Sequence, residues 1–159
     1  MDDKTPEQRS INMSHIRSKN TKPEEVVRKY LFAKGFRYRK NDARYPGKPD
    51  LVLPKYHTVI FINGCFWHRH GCKDSTMPKT NVAFWMEKWS KNVRRDHRNE
   101  AAWREAGWNV IVVWECALKD ACAARTLDAI CAKIGAWAQE RESGIVRRVP
   151  HRLVLPRRV

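Results

Sequence analysis

The sequence predicts a mixed α/β fold in which helices flank a β-sheet. Two neighbouring β-rich runs, Asp50 to Leu53 and Thr58 to Ile62, have the length and composition of a hairpin. A later apolar run, Val110 to Trp114, has the length of a buried strand. Segments with helical periodicity stand before, between and after these runs. The order helix, hairpin, loop, helix, strand, helix is typical of a mixed sheet covered by helices.

The first helix is predicted from its start and stop signals. Thr21 and Glu24 stand three residues apart ahead of an apolar stripe, which is the pattern of a capping box. Gly35 ends the helix. The prolines and glycine of residues 44–49 predict a loop, and residues 54–57 connect the hairpin strands. The stripe consists of Val26, Val27, Tyr30 and Leu31.

The second half of the chain predicts a long loop, two helices and a strand. Residues 63–83 are irregular, and a helix over about 84–106 is stopped by Gly107. After the third strand, Thr126 is expected to cap a last helix, and Cys131 lies on its apolar face and is interpreted as core. That face is formed by Leu127, Ile130, Ile134 and Trp137.

The chain has the length of one domain with polar ends. Residues 1–20 predict a short helical arm, residues 21–142 the folded domain, and residues 143–159 a basic tail, mobile or phosphate-seeking, with five arginines and no acid. No apolar run reaches the roughly 18 residues of a membrane span, and the first residues contain no secretory signal. We therefore expect a monomer in the cytoplasm, without a membrane partner.

The charge of the chain indicates a polyanionic partner. Lysine and arginine number 32 against 17 acidic residues, giving a net charge of +15. A field of this size attracts phosphate backbones, although it could also serve solubility or an anionic membrane surface. The seven tryptophans favour nucleic acid, because aromatic faces stack on bases or wedge between them.

The segment from Asn63 to Cys72 favours a zinc site. The chain has five cysteines, an odd number that argues against a disulfide framework. Zinc takes about four thiolate or imidazole ligands. Three are available within eight residues, and Cys116, at the end of the third strand, could be the fourth. The alternative is a set of buried thiols and surface histidines, since the spacing is not that of a standard zinc finger. The three ligands are Cys65, His70 and Cys72.

Two aspartates are candidates for metal binding or catalysis. Asp50 begins a hairpin strand, where a carboxylate could hold Mg²⁺ against a phosphate or could simply belong to a turn. Asp96 falls within the apolar arc of the long helix, where a carboxylate is costly unless it is paired or bound to metal. A salt bridge to a neighbouring arginine or a core hydrogen bond would also explain it. The arc contains Trp85, Trp89, Val93 and Trp103, and also Glu100.

His68 and Glu24 each have two interpretations. The imidazole of His68 could accept a proton from a water that attacks phosphorus, or it could be a surface residue beside the metal ligands. Glu24 could be an accessory acidic residue, or it could serve only the capping box.

Several motifs occur together along the chain: Arg9-Ser10 with Asn12-Met13, Pro46-Gly47-Lys48-Pro49-Asp50, Ile60-Phe61, Gly64-Cys65-Phe66-Trp67-His68, Cys72, Phe84-Trp85 with Glu87-Lys88, Lys91-Asn92-Val93 with Arg95-Asp96, and Gly107-Trp108 followed by Val113-Trp114-Glu115-Cys116-Ala117-Leu118. Together they resemble the very-short-patch mismatch repair endonucleases, the Vsr family. The resemblance covers about residues 9 to 140. It implies a restriction-endonuclease-like α/β core with a structural zinc.

The resemblance also implies roles for individual residues. Asp50 resembles the central magnesium ligand, with the Ile62 backbone carbonyl sharing the ion. His68 resembles the catalytic base, supported by Asp96, and Glu24 an accessory acid near the metal. Cys65, His70, Cys72 and Cys116 resemble the zinc ligands. The residues that resemble DNA contacts are Phe66, Trp67 and Trp85 beside the mismatch from the major groove, and Met13 in the minor groove.

The activity implied is the nicking of one strand of double-stranded DNA next to the thymine of a T:G mismatch left by deamination of 5-methylcytosine. Mg²⁺ would be the catalytic cofactor and Zn²⁺ the structural one, and a MutL-type repair protein would be a further partner. Phe61 and Asn63 stand where many nucleases of this fold carry an acid and a lysine, a pair that the family itself lacks. Some members have histidine in place of Asn63. A matched-site restriction endonuclease, a non-catalytic zinc-dependent DNA-binding module and a zinc hydrolase are the alternatives.

Overall fold

The computed structural model describes residues 5–16, 19–144 and 152–155, and these form a sheet of five strands with helices on both faces. The helices are α1 (Pro6–Ser14), α2 (Lys22–Ala33), α3 (Val82–Glu105) and α4 (Cys122–Glu142). The strands are β1 (Arg39–Lys40), β2 (Leu51–Leu53), β3 (Thr58–Asn63), β4 (Asn109–Trp114) and β5 (Arg152–Val154). Two short 3₁₀ turns, Pro54–Tyr56 and Glu115–Leu118, follow β2 and β4. The predicted mixed sheet flanked by helices is confirmed.

The strands lie in the order β1-β2-β3-β4-β5, and the sheet changes from antiparallel to parallel at β3. β2 runs antiparallel to both β1 and β3, whereas β4 is parallel to β3 and to β5. Leu51 pairs with Ile60, and Asn63 pairs with Trp114. The start of β2 therefore meets the carboxyl ends of β3 and β4 at one edge of the sheet, which is where the candidate site lies.

One face of the sheet packs against α2 and α4. Alternate residues of each strand point to this face because side chains in a strand have a period of two. The resulting core is the larger of the two and gathers the apolar stripes of both helices. Its fully buried members include Val27, Leu31, Leu51, Leu53, Ile60, Ile111, Val113, Ile130 and Ile134.

The other face packs against α3. Trp103 joins Val52, Val59, Val110 and Val112 in a second core.

This second face also anchors the loop that leads to Asp50. The Trp103 indole donates to the Pro46 carbonyl at 2.9 Å. Gly47 has a φ of +72°, and a Cβ there would lie 2.5 Å from the Asn99 side chain. Only glycine allows this close approach of loop to helix. The loop before β2 is thus held against α3.

The structure confirms some predicted boundaries and corrects others. The capping box of Thr21 and Glu24 is formed, but Val26 is 40% exposed and is not part of the buried stripe. The last helix begins at Cys122 with Ala121 as N-cap, so the prediction of Thr126 as its cap is wrong. Thr126 lies inside α4 and is buried, because the helix begins one turn before it.

Two strands were not predicted. β1 has only two residues and pairs through its backbone with β2, so it leaves little pattern. β5 lies in the segment predicted to be a basic tail, mobile or phosphate-seeking. The mobile interpretation is wrong for Arg152–Val154, which pairs with β4, and the phosphate-seeking one stays a prediction. The five arginines of this segment made its short apolar run hard to recognise in the sequence. The run ends in Leu155, which is 4% exposed and belongs to the larger core. Residues 145–151 and 156–159 of the predicted tail lie outside the described residues.

None of the helices among the described residues combines the length and the apolar character that a membrane crossing needs.

Candidate functional site

Asp50 lies at the sheet edge where β2 begins. Its carboxylate accepts a hydrogen bond from the backbone N–H of Ile62 at 2.7 Å. Burial raises the pKa of this carboxyl to about 6, and the nearby charge of Glu24 adds to the rise; the Ile62 N–H, Arg28 and His68 oppose it. Desolvation and a nearby acid both disfavour the ionised form of a carboxylate, and a bound cation would stabilise it.

Glu24 is buried at the start of α2, 3% exposed, beside Asp50. It accepts hydrogen bonds from the N–H groups of Asn20 and Thr21 at 3.0 and 3.3 Å, which confirms its capping interpretation. It also forms a salt bridge with Arg28 at 2.6 Å. Arg28 was not predicted as a site residue, because an arginine one turn after a glutamate is common on exposed helices.

His68 is hydrogen-bonded through Nδ1 to the carboxylate of Asp96 on α3. Both side chains are about one fifth exposed, at 21% and 19%. The second carboxylate oxygen of Asp96 lies 3.7 Å from Arg95. The hydrogen bond to His68 explains why α3 carries an acid on its inner face. The contact with Arg95 shows that the alternative, a salt bridge to a neighbouring arginine, is also formed in part. With its Nδ1 engaged, a neutral His68 would present Nε2 as a proton acceptor.

Cys65, His70, Cys72 and Cys116 form a cluster whose ligand atoms all lie within 4.8 Å of one another. The Nδ1 of His70 is 3.6 Å from the Cys65 sulfur and 3.4 Å from the Cys116 sulfur. Tetrahedral zinc with its usual bond lengths separates a sulfur and a nitrogen ligand by about 3.5 Å. The set therefore fits a tetrahedral metal ion.

The turn around His70 explains how four ligands converge. His70 donates its backbone N–H to the Cys65 carbonyl at 3.0 Å, which closes the loop. Its ring stacks on Trp114 at 4.2 Å and 6°. Cys116 follows Trp114 in the 3₁₀ turn after β4 and donates its N–H to the Cys65 sulfur at 3.4 Å. Trp114 was not predicted to have a role, because stacking between distant residues leaves no local pattern.

The five cysteines fall into two groups, three in the cluster and two outside it. Burial raises the pKa of the Cys65 thiol, so without a metal it would remain protonated and unreactive. Cys131 packs against the larger core, as predicted, and Cys122 lies outside the cluster.

Phe66, Trp67 and Trp85 come together beside His68, and we call them the aromatic cluster. Phe66 meets Trp67 and Trp85 edge-on, with ring centroids 5.2 and 5.0 Å apart. The Lys88 ammonium lies 5.3 Å from the ring centroids of Trp67 and of Trp85. Asn92 donates to the Trp67 carbonyl at 2.9 Å, which fixes the cluster to α3. The cluster is partly exposed, with a cation at its margin.

Met13 lies on α1 and is 43% exposed. Its predicted contact with the minor groove remains a prediction.

These observations describe a mixed α/β protein whose sheet edge carries a partly buried carboxylate, a histidine–aspartate pair and a Cys/His cluster that could hold a metal ion. The family model described as "DNA mismatch endonuclease Vsr" matches residues 1–74. The type II nicking enzyme V.NmeAIP of Neisseria meningitidis is 58% identical over 116 residues, which cover 73% of this chain and 83% of that enzyme. The DNA mismatch endonuclease Vsr of Escherichia coli is 42% identical over 144 residues, which cover 86% of this chain and 92% of that enzyme.

A third relative is the type II nicking enzyme V.XorIIP of Xanthomonas oryzae, 46% identical over 116 residues. The chain belongs to the Vsr DNA mismatch endonuclease family. The resemblance seen in its motifs is therefore confirmed, and its relatives are endonucleases and nicking enzymes by name.

Proposed function

We propose that this protein is a magnesium-dependent endonuclease that nicks one strand of duplex DNA beside the thymine of a T:G mismatch. The observation that carries the proposal is the meeting of Asp50 with the His68–Asp96 pair at one sheet edge, next to the aromatic cluster. Membership of the family supports it, since one relative is named a mismatch endonuclease and others nicking enzymes. The restriction-endonuclease-like fold is part of the same proposal.

The Asp50 carboxylate and the Ile62 carbonyl are the proposed magnesium ligands. The N–H and C=O of a strand residue point to the same side. Because the Ile62 N–H points to Asp50, its carbonyl faces the same edge, beyond the last β2–β3 pair at Leu51. Two hard oxygen donors at a desolvated edge suit Mg²⁺. The ion would supply positive charge for the scissile phosphate and the leaving 3′ oxygen.

His68 is the proposed general base. Its Nε2 would take the proton from the water that attacks phosphorus, while Asp96 keeps Nδ1 protonated and the ring in place. Asp96 acts through His68 and is a positioning residue. Glu24 has a smaller part: its charge, partly balanced by Arg28, adds to the field around Asp50.

The Cys/His cluster is the proposed structural zinc site. Four protein ligands complete a tetrahedron and leave no position for water, so the ion would hold the loop of residues 64–72 against the turn after β4. This argues against the zinc hydrolase. Zinc binding would position His68, Phe66 and Trp67 indirectly, because all three lie on that loop.

The aromatic cluster is the proposed mismatch sensor. Wedging rings into a base step costs a few kcal/mol of unstacking, and a mismatched step resists less than a paired one. Phe66, Trp67 and Trp85 would enter from the major groove, and Met13 would contact the minor groove.

A strand-resolved nicking assay with Mg²⁺ on otherwise identical T:G and T:A duplexes tests this function. We expect a single nick, in the thymine strand of the T:G duplex. Cleavage of both strands of the matched duplex would instead indicate a restriction-type enzyme. Binding without any nick would indicate a non-catalytic DNA-binding module.

Trp67→Ala tests the sensor separately. We expect the preference for T:G over T:A binding to weaken, by the equivalent of about 1–3 kcal/mol for one lost stacking contact. Phe32→Ala is the matched control, because Phe32 is an exposed aromatic (55%) on α2, outside the aromatic cluster. Full mismatch preference in Trp67→Ala would contradict the wedge.

A further inference from the structure

A groove on α3 adjoins the aromatic cluster but contains none of the residues given a role above. Its volume is about 250 Å³. Trp89 forms one wall, and its ring lies 5.4 Å from Phe66 and 6.0 Å from Trp85. Whatever enters the groove is therefore one residue's width from the aromatic cluster. The lining residues are Arg69, Met86, Trp89, Ser90, Val93 and Arg94.

Two exposed guanidinium groups flank this groove. The guanidinium of Arg69 lies over the Trp89 ring, 4.6 Å from its centroid. Within the described residues, neither Arg69 nor Arg94 forms a salt bridge. The neighbouring carboxylates of α3 are engaged elsewhere: Glu87 with Lys91, Asp96 with His68 and Glu100 with Arg152. The groove therefore carries two positive charges and no acid among its lining residues.

We propose that Arg69 and Arg94 together bind one backbone phosphate of the DNA, next to the step that the aromatic cluster enters. Guanidinium groups bind phosphate oxygens through paired hydrogen bonds. The apolar side chains of Met86 and Val93 provide a surface for the adjoining deoxyribose, which a free anion would not need. The inference rests on the proposed function only in taking duplex DNA as the ligand.

Holding this phosphate would brace the duplex while the rings wedge into it. Phosphate contacts position a protein on DNA and carry no sequence information. The contact of Arg69 and Arg94 with the phosphate should therefore strengthen binding of T:G and T:A duplexes equally, whereas the aromatic cluster should distinguish them.

The test is binding of labelled T:G and T:A duplexes in buffer without Mg²⁺ and without chelator. We expect Arg94→Gln and Arg69→Gln each to weaken binding of both duplexes by about five- to tenfold, and to lower the slope of log affinity against log salt by about one. Arg125→Gln is the matched control: it removes the same charge from an exposed position on α4, across the sheet, and should change affinity less than about twofold.

Neutral methylphosphonate linkages, placed one at a time near the mismatch, locate the phosphate. We expect one position to weaken wild-type binding and to have no further effect on Arg94→Gln, while Arg125→Gln responds as wild type does. Inorganic phosphate should compete with the DNA no more strongly than chloride does at the same ionic strength.

Equal affinity losses in Arg94→Gln and Arg125→Gln would overturn the proposal, as would a methylphosphonate penalty that persists in Arg94→Gln. Competition by inorganic phosphate would indicate a free-anion site instead. If Arg69→Gln loses zinc, Arg94→Gln alone decides the result. Failure of the proposed function would look different: wild type would bind DNA but not nick it, whatever the arginine variants do.

Discussion

At the scale of single residues, the charge of Asp50 sets how the site responds to pH, and we expect it to set the response to magnesium as well. The folded protein holds the pKa of this carboxyl at about 6, against an ordinary value of 3.8. Between these values the unfolded chain releases the proton and the folded chain retains it, so the free energy of unfolding falls as pH rises. Above about pH 6 the penalty is complete, on the order of 2–3 kcal/mol.

Asp50→Asn should therefore raise the melting temperature at about pH 7.5 without Mg²⁺, and should have little effect near pH 4. Mg²⁺ should raise the melting temperature of wild type at the higher pH and leave that of the variant unchanged, because a bound cation offsets the buried charge. Thermal unfolding at both pH values, with and without Mg²⁺, measures this.

Asp42→Asn is the control of opposite sign. Arg44 lowers the pKa of the Asp42 carboxyl to about 2, so its ionised form is favoured in the folded protein. Removing that charge should not raise the melting temperature. A lower melting temperature for Asp50→Asn without Mg²⁺ would mean that protein groups already balance the Asp50 charge.

The sequence located the residues whose chemistry is unusual for their position. Asp96 on an apolar helix face and four zinc-type ligands along the chain stood out because such groups are costly or rare without a partner. Arg28, Trp114 and Asn92 did not stand out. Their contacts with Glu24, His70 and Trp67 depend on how elements pack, or resemble ordinary helix pairs.

At the scale of elements, the loop of residues 64–72 carries three residues of the Cys/His cluster together with His68, Phe66 and Trp67. Cys116→Ser should release zinc and lower the melting temperature, because the proposed zinc would tie the loop to the turn after β4 and its binding would be coupled to folding. Zinc content by metal analysis and thermal unfolding measure the two effects.

Cys122→Ser is the matched control, since Cys122 lies outside the cluster and should not affect zinc content. If Cys116→Ser retains both its zinc and its stability, Cys116 is not the fourth ligand.

The strand β5 contributes to stability through the residue that follows it. Leu155 is buried in the larger core and donates its N–H to the Val112 carbonyl at 3.2 Å. Leu155→Ala should lower the free energy of unfolding by about 2–4 kcal/mol, the usual result of deleting a buried leucine side chain. Chemical denaturation measures it.

Val154→Ala is the comparison within the same segment, because Val154 is 39% exposed. Its effect should stay below about 1 kcal/mol. Equal effects of the two substitutions would mean that residues 152–155 do not pack against the core as described.

Helices and the hairpin were predictable from the sequence because capping residues, apolar periodicity and turn residues are local signals. The edge strands were not, since β1 has two residues and the apolar residues of β5 stand among arginines. Thr126 shows the same limit in a helix: a good capping residue can lie inside a helix when packing on the core extends the helix beyond it.

At the scale of the whole molecule, the two faces of the sheet carry different groups of residues. The face covered by α2 and α4 holds the larger core, while α3 on the other face carries Asp96, Trp85 and the arginine groove. The proposed chemistry and the proposed DNA recognition meet at the edge between them, where β2 begins and β3 and β4 end. They should therefore be separable by substitution.

The most direct measurement of that separation is to compare single-turnover nicking and duplex binding for wild type and Asp50→Ala. We predict that Asp50→Ala abolishes nicking of the T:G duplex, since the proposed magnesium ligand is gone, and that it retains the preference for T:G over T:A in binding, since the aromatic cluster and the arginines are untouched. Nicking at the wild-type rate by Asp50→Ala would contradict the account.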